Sequence, residues 1–429
     1  NLITGNTGGG VNVATPVTVT LDHNTIAGNG NTGVYASSSS QYASSSVTIQ
    51  NNIVASNNGF GVARAAGSAP GVYLTSNDVW GHAAGNYSNT GGALSANPLF
   101  AAGSYRITSR SPCRFGDSTG GDIGALPYSG DPTVGLQGTL FADTTLSGFN
   151  TVLGDLTVPA GVTLTVAPGA TLSFATTDGM GSGFDPGRAE LAIQGTLLAQ
   201  GTSGSRIAFT TPGGNGAWYG IRIAGGSGTS IGQADISKAV YGVTFGTSGS
   251  LTYSTVSNTT SGGIWVQGGV VTLSHLTLSS NARMAIYAPG GVTNLSHSLV
   301  TSSGNNSDAA VVLFYQSTLD HNTIAGNNGT AVYFSGYSPA GTTLQDNIIA
   351  NNNGYGVYRT TYTTGQVAAS YNDTWGNIPS DYSGIGAGVG SIFTNPLFVG
   401  GGDYRLQAGS PCRGRASDGS DMGAFPYGS

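Results

Sequence analysis

Apolar residues in this chain fall in short runs that alternate with Ser and Thr, as in Val271-Thr-Leu-Ser-His-Leu-Thr-Leu278. Alternation at period two marks half-buried β-strands. Clusters of Gly, Asn and Ser separate the runs and supply turns. No stretch carries a helical period with caps. Aligned on their apolar pairs, Tyr241–Phe245, Gly263–Val266, Ala285–Ala288, Ala310–Leu313, Ala331–Phe334 and Gly356–Arg359 recur every 21–25 residues. Two or three short strands in each such period, with no helix, predict an all-β solenoid. Each period is one coil, about 22–25 residues long, and coils stack by parallel pairing. A hairpin-built sandwich is the rival, since Asn-Gly turns occur at Asn29, Asn58, Asn215, Asn328 and Asn353. Several of these recur once per coil at one phase, which favours the solenoid.

The alternation also assigns faces. Val243, Ile264, Ile286, Val311, Val332 and Val357 are expected to fill the core. Thr244, Trp265, Tyr287, Val312, Tyr333 and Tyr358 then point outward, one per rung. A stripe containing Trp265, Tyr287, Tyr333 and Tyr358 can stack on sugars or pack against another protein. Surface β-propensity alone would also enrich such residues. Asn258, Asn281, Asn305, Asn327, Asn352 and Asn377 recur at coil spacing and are expected to form a structural ladder, each amide bonding to the next.

A longer repeat lies over the coils. Asp22-His23-Asn24 returns as Asp320-His321-Asn322, Asn97-Pro-Leu-Phe100 as Asn395-Pro-Leu-Phe398, and Ser111-Pro-Cys-Arg114 as Ser410-Pro-Cys-Arg413. An internal repeat outranks other signals. Residues 1–130 read as the C-terminal part of one unit. Residues 131–429 read as a complete unit, with irregular first coils at 138–217, regular coils at 218–377 and a closing segment at 378–429. The first copy enters in mid-unit, so the chain is expected to be a piece of a longer tandem array.

Composition narrows the function classes. Charged residues are 7% of 429, with 72 glycines and net charge −6, against roughly 25% charged in an ordinary domain. No basic patch exists for phosphates, so nucleic acid is not an expected partner. No apolar run is long enough to span a membrane as a helix. Cys113 and Cys412 hold equivalent places in the two copies. They are expected to be unpaired and buried.

The stretch GDLTVPAGVTLTVAPGATLSF (154–174), then WYGIRI (218–223), then tandem coils, resembles the right-handed parallel β-helix family of exported bacterial proteins. YNDTWGNIPSDYSG (371–384), NPLFVGGGDYRLQAGSPCR (395–413) and DMGAFPY (421–427) resemble the ending of β-helix proteins with the so-called choice-of-anchor Q region. The resemblance implies the fold and an extracellular or cell-surface location. It does not imply one activity.

Some β-helix proteins are polysaccharide lyases or hydrolases. Sugar hydrolysis needs two carboxylates on one groove. Asp235, Asp308, Asp320, Asp346 and Asp373 are instead scattered about one per coil, and Lys238, Arg222, Arg283 and Arg359 stand apart. Asp22-His23 and Asp320-His321 resemble a fragment of a pectate-lyase motif, but read equally well as a strand end and turn. His275 and His297 lack neighbours at metal spacing. Asp78 and Asp373 read as turn acids beside Trp80 and Trp375. Asp178, Asp185 and Glu190 surround a Gly-rich loop. No catalytic residue, metal ligand or cofactor is therefore expected, with a structural calcium ion as the minor alternative. The leading expectation is a non-catalytic structural or adhesive module that stacks head to tail with copies of itself. A glycan-binding module using the aromatic stripe is the alternative, and a polysaccharide lyase or hydrolase the second.

Overall fold

The computed structural model describes residues 1–14, 18–37, 46–66, 71–92, 94–226, 228–335, 341–360 and 366–429. All regular elements among these residues are β-strands. They form two compact units. The first comprises residues 1–141, 153–156 and 177–189, and the second residues 142–152, 157–176 and 190–429. By packing, residues 131–141 thus belong with the first unit.

In the second unit one coil consists of Ala234–Ser237, Tyr241–Phe245 and Gly249–Thr252. Each strand pairs in parallel with its counterpart in the next coil: Thr255–Ser257, Gly262–Val266 and Val270–Ser274. The three stacks continue to Asp373–Trp375, Tyr382–Ser383 and Val367–Ser370. The first unit repeats the plan on a shorter scale, its three stacks ending at Asp78–Trp80, Gly85–Ser88 and Gly71–Thr75. This is the parallel β-solenoid that the alternation predicts. Coil length varies more than the motif spacing suggests: Asp235 pairs with Thr255, Ile348 with Asp373 and Thr25 with Ile53. Loops absorb the difference while strands keep register.

The core forms as patterned. Val243, Ile264, Ile286, Val311, Val332 and Val357 are all fully buried. Burying each such side chain contributes about 1.5–3 kcal/mol, and β-branched residues suit the pleated surface. One stack departs from alternation. Thr323–Ala325 and Ile348–Ala350 are buried along their whole length, which is the mark of a strand covered on both faces. The cover is the closing segment. Leu406, Cys412, Ala416 and Met422 pack on Ala325, Ile348 and Ala350. The Ala424 amide donates to Thr323 Oγ1 at 3.0 Å, and the Gly423 amide to the Asp346 carbonyl at 2.9 Å. In the first unit Ile107, Cys113 and Ile123 cover Ala27, Ile53 and Ala55 in the same way. In the second unit's closing segment Phe398–Gly400 and Asp403–Leu406 form an antiparallel hairpin, echoed in the first unit by the Phe100–Ile107 bridge.

The asparagines form two ladders in the second unit where one is expected. The first runs Asn281, Ser303, Asn327, Asn352, Asn377. The Asn327 amide and Nδ2 both donate to Asn352 Oδ1, at 3.1 and 2.8 Å, and Asn352 repeats this to Asn377. Asn377 donates to the Asp381 carboxylate at 2.7 Å. Asn258 and Asn305 are not rungs. Thr259 takes the first place, its hydroxyl donating to Asn281 Oδ1 at 2.8 Å, and the Ser303 amide bonds Asn327 Oδ1 at 3.1 Å. Asn258 lies one position off, at a left-handed corner with φ 57°, and Asn305 joins a loop around Asp308. The second ladder, Asn322, Asn347, Asn372, is built identically. The first unit has the same pair of ladders, through Asn24, Asn52 and Asn77 and through Asn29 and Asn57.

Candidate functional site

Parallel pairing places one residue of each coil directly above its counterpart, so the outward positions line up. Thr244, Trp265 and Tyr287 are successive partners, then Val312, Tyr333 and Tyr358. All four aromatics of the expected stripe are half-buried, because they line a groove with a volume of about 580 Å³. That lies within the 300–1,000 Å³ of ordinary ligand sites. Trp265 sits between Tyr241 and Tyr287, with ring centroids 4.9 and 5.9 Å away. Beyond the small Val312, Tyr333 and Tyr358 stack at 5.6 Å and 14°, and Tyr355 leans on Tyr358 at 5.2 Å. Tyr241 and Tyr355 belong to the groove without belonging to the stripe. Both precede a core-pointing valine by two residues, at the mouth of the strand rather than its centre, so alternation alone does not select them.

The groove's charge is balanced. Arg283 Nε donates to Asp308 Oδ2 at 2.8 Å, and Asn305 Nδ2 donates to the same oxygen at 2.8 Å. These residues stand apart in sequence, but one coil step joins them. The guanidinium holds the Asp308 carboxyl below the usual range, so Asp308 is a poor proton donor at neutral pH. It is also the one carboxylate among the residues lining the groove. The indole N–H of Trp265 is buried and has no hydrogen-bond partner among the described residues.

The other acids stand elsewhere. Asp178 accepts the amides of Asp155, Met180 and Ser182. Asp185 pairs with Arg188 and Glu190 with Arg222. These acids are thus held by separate partners. Asp22 and His23, like Asp320 and His321, occupy a coil corner away from the aromatic strands. His275, His297 and His321 take the same left-handed corner in successive coils, φ 48–53°. Their rings stack at 5.1 Å with interplanar angles of 7° and 4°. They are corner residues, not members of the alternating strands. Burial pushes the His275 and His297 imidazoles down.

Asp78 and Asp373 are not turn acids. Both open strands, both are fully buried, and each accepts a thiol, Cys113 Sγ at 3.2 Å and Cys412 Sγ at 3.0 Å. Both cysteines are free and buried, as expected. Burial and the neighbouring acid push both thiols well up, which removes the reactive thiolate at neutral pH. Iodoacetamide should therefore label neither cysteine in native protein at pH 7.5 within an hour and both in denaturant. Equal labelling without denaturant, read by intact mass, would contradict the buried pairs.

Among the described residues no helix is long and apolar enough to cross a membrane. A family model described as the right handed beta helix region matches residues 1–98 and 219–373, more than half of the chain. No curated protein matches it.

Proposed function

We propose that this chain, which belongs to the right-handed β-helix family, is a non-catalytic module that binds an uncharged polysaccharide along the aromatic groove. The carrying observation is the column of Trp265, Tyr287, Tyr333 and Tyr358 lining one groove at coil spacing, with Tyr241 and Tyr355 beside it. Sugar rings present apolar C–H faces that stack on such rings, and their hydroxyls can meet Arg283 and Asn305. The ion pair of Arg283 with Asp308 leaves no uncompensated charge, which favours a neutral glycan over an acidic one. One carboxylate, held ionised, does not make up the acid–base pair of a glycosidase. A repeat-type scaffold suits the role, because successive coils extend a binding strip without new folds. The likeness of the closing segments to the choice-of-anchor Q ending supports an extracellular or cell-surface setting, where such a module would adhere.

The test is a glycan array followed by calorimetry with the best neutral polysaccharide. Trp265→Ala and Tyr333→Ala should each weaken binding at least tenfold, about 1.4 kcal/mol. Tyr315→Ala, an exposed aromatic outside the groove, should leave it unchanged, and binding should depend little on salt. Absence of polysaccharide binding, or an unaltered Trp265→Ala variant, sinks the reading.

A further inference from the structure

At the corner of the histidine column, the second unit gathers Asp320, His321 and Asp346, whose ligand atoms all lie within 4.8 Å of one another. His321 is 8% exposed. Its Nδ1 lies 3.2 Å from Asp320 Oδ1 and 4.0 Å from Asp346 Oδ2, yet makes no aligned hydrogen bond and is shut off from solvent. Its Nε2 has a partner in the Ser420 hydroxyl at 3.0 Å. With the ring hydrogen on Nε2 and donated to Ser420, Nδ1 presents a bare lone pair to two carboxylates. Such a buried arrangement is repulsive until a proton on Nδ1, or a metal ion in its place, lies between.

The surroundings hold the three groups in place. Ser417 donates to Asp346 twice, from its amide to Oδ1 at 2.6 Å and from its hydroxyl to Oδ2 at 2.7 Å, and Gln345 donates to Oδ2 at 3.0 Å. Oδ2 thus accepts two hydrogens, and an ion at that oxygen takes the place of the Gln345 amide, which keeps Ser417 Oγ as a partner at 2.8 Å. The stacked ring of His297 fixes the plane of His321. Hydrogen-bonded ligands of this kind are the outer support that metal sites carry.

The first unit supplies an internal comparison. Asp22 and His23 occupy the same place, but Asn51 stands where Asp346 would be. Asn51 Nδ2 donates to Asp22 Oδ1 at 2.9 Å, and His23 is satisfied on both nitrogens, by Asp22 at 2.8 Å and Asp117 at 3.0 Å. That version closes on itself without an ion. In the second unit the amide is replaced by a carboxylate, and Nε2 meets the Ser420 hydroxyl at 3.0 Å with the Asp418 carboxylate behind it at 3.9 Å. The first change concentrates negative charge at Nδ1.

We propose that Asp320 Oδ1, Asp346 Oδ2 and His321 Nδ1 bind one divalent first-row transition-metal ion, of which Zn²⁺ is the type. An imidazole among the ligands selects such an ion over Ca²⁺, which takes oxygen. Ligands about 2.1 Å from a tetrahedral ion stand about 3.4 Å apart, between the 3.2 and 4.0 Å that separate Nδ1 from the two carboxylate oxygens. The bound ion ties this corner to the closing segment through Ser417. The site is independent of the groove and does not rest on glycan binding.

The experiment is equilibrium dialysis of the EDTA-treated, intact chain against Zn²⁺, with bound metal measured by mass spectrometry and melting followed in parallel. One Zn²⁺ per chain is expected, with a higher melting temperature that EDTA reverses and a tenfold excess of Ca²⁺ leaves in place. Asp346→Asn, which recreates the first unit's arrangement, should bind none. Because Asp346 is buried, the more exposed Asp320→Asn is the second variant, and it too should lose the ion. Wild-type protein without bound Zn²⁺, or both variants retaining wild-type stoichiometry, overturns the proposal. Displacement by Ca²⁺ overturns the assignment of ion class.

Discussion

Replacing Asn347 by alanine is expected to destabilise the second unit by about 4 kcal/mol. The side chain is fully buried. Its Oδ1 accepts the Asn322 amide at 2.9 Å and Asn322 Nδ2 at 3.0 Å. Its Nδ2 donates to the carbonyls of Leu319 and Gln345, at 3.0 and 2.7 Å, and to Asn372 Oδ1 at 2.9 Å. Alanine removes five bonds at once. The Asn322 amide is left without a partner in the interior, and each stranded buried group costs about 1–3 kcal/mol. Asn258→Ala is the matched control. Asn258 has the same residue type and coil spacing but lies exposed outside the ladder, so its replacement should cost only about 1 kcal/mol, the strain of alanine at a left-handed φ of 57°. Urea unfolding followed by tryptophan fluorescence reads both. A loss below 1 kcal/mol for Asn347→Ala would mean that the ladder records packing geometry and does not hold the coils.

The second large effect is an unusual dependence on pH. Burial raises Asp78 to about 7 and Asp373 to about 6 from an ordinary 3.8. The folded state therefore holds these protons more tightly than the unfolded chain. Their contribution is most favourable below pH 3.8, falls as pH rises, and levels off above pH 7. At 1.36 kcal/mol per pH unit per group, the two acids together should cost about 4 kcal/mol between pH 5 and pH 8. His23 and His321, whose pKa values are raised, lose stability in the same direction. His82, buried and lowered, works the other way. Asp78→Asn and Asp373→Asn separate the causes, since the amide imitates the protonated acid. The double variant should lose most of the pH slope and gain stability at pH 8. A wild-type slope retained in that variant would place the effect elsewhere.

Periodicity carried the fold, because a parallel solenoid writes the same instruction into every coil. The inward set at Val243 to Val357 and the outward set at Trp265 to Tyr358 follow from alternation and stack as that implies. Phase was harder. Asn258 and Thr259 are adjacent, and only the corner's left-handed turn decides which one faces inward. Asn305 and Ser303 pose the same problem. The second ladder was visible as Asn322, Asn347 and Asn372 at steps of 25, but a single expected column left no place for it. Contacts between unlike positions were not legible at all. Arg283 meets Asp308, and His321 meets Asp346, because coils stack, and the offsets depend on loop lengths that alternation does not set. The closing segment's return over the flank likewise follows from strands buried on both sides, where the pattern shows only uninterrupted apolar residues.

The asparagine ladders have a direction. Where asparagine follows asparagine, each rung gives two hydrogens forward and takes two from behind, so the side-chain dipoles all point the same way and no such rung can be the last. A terminus needs a group that accepts without passing a hydrogen to a further rung. Asp381 does this for one ladder, Ser391 Oγ receives the Asn372 amide in the other, and His82 Nδ1 receives the Asn57 amide in the first unit. The terminator therefore acts as a stop signal that fixes how many coils a unit contains. A 25-residue coil duplicated between Asn327 and Asn352 meets compatible chemistry on both sides, whereas one placed after Asp381 meets none. Such an array can lengthen from within, one coil at a time, and its aromatic strip would lengthen with it.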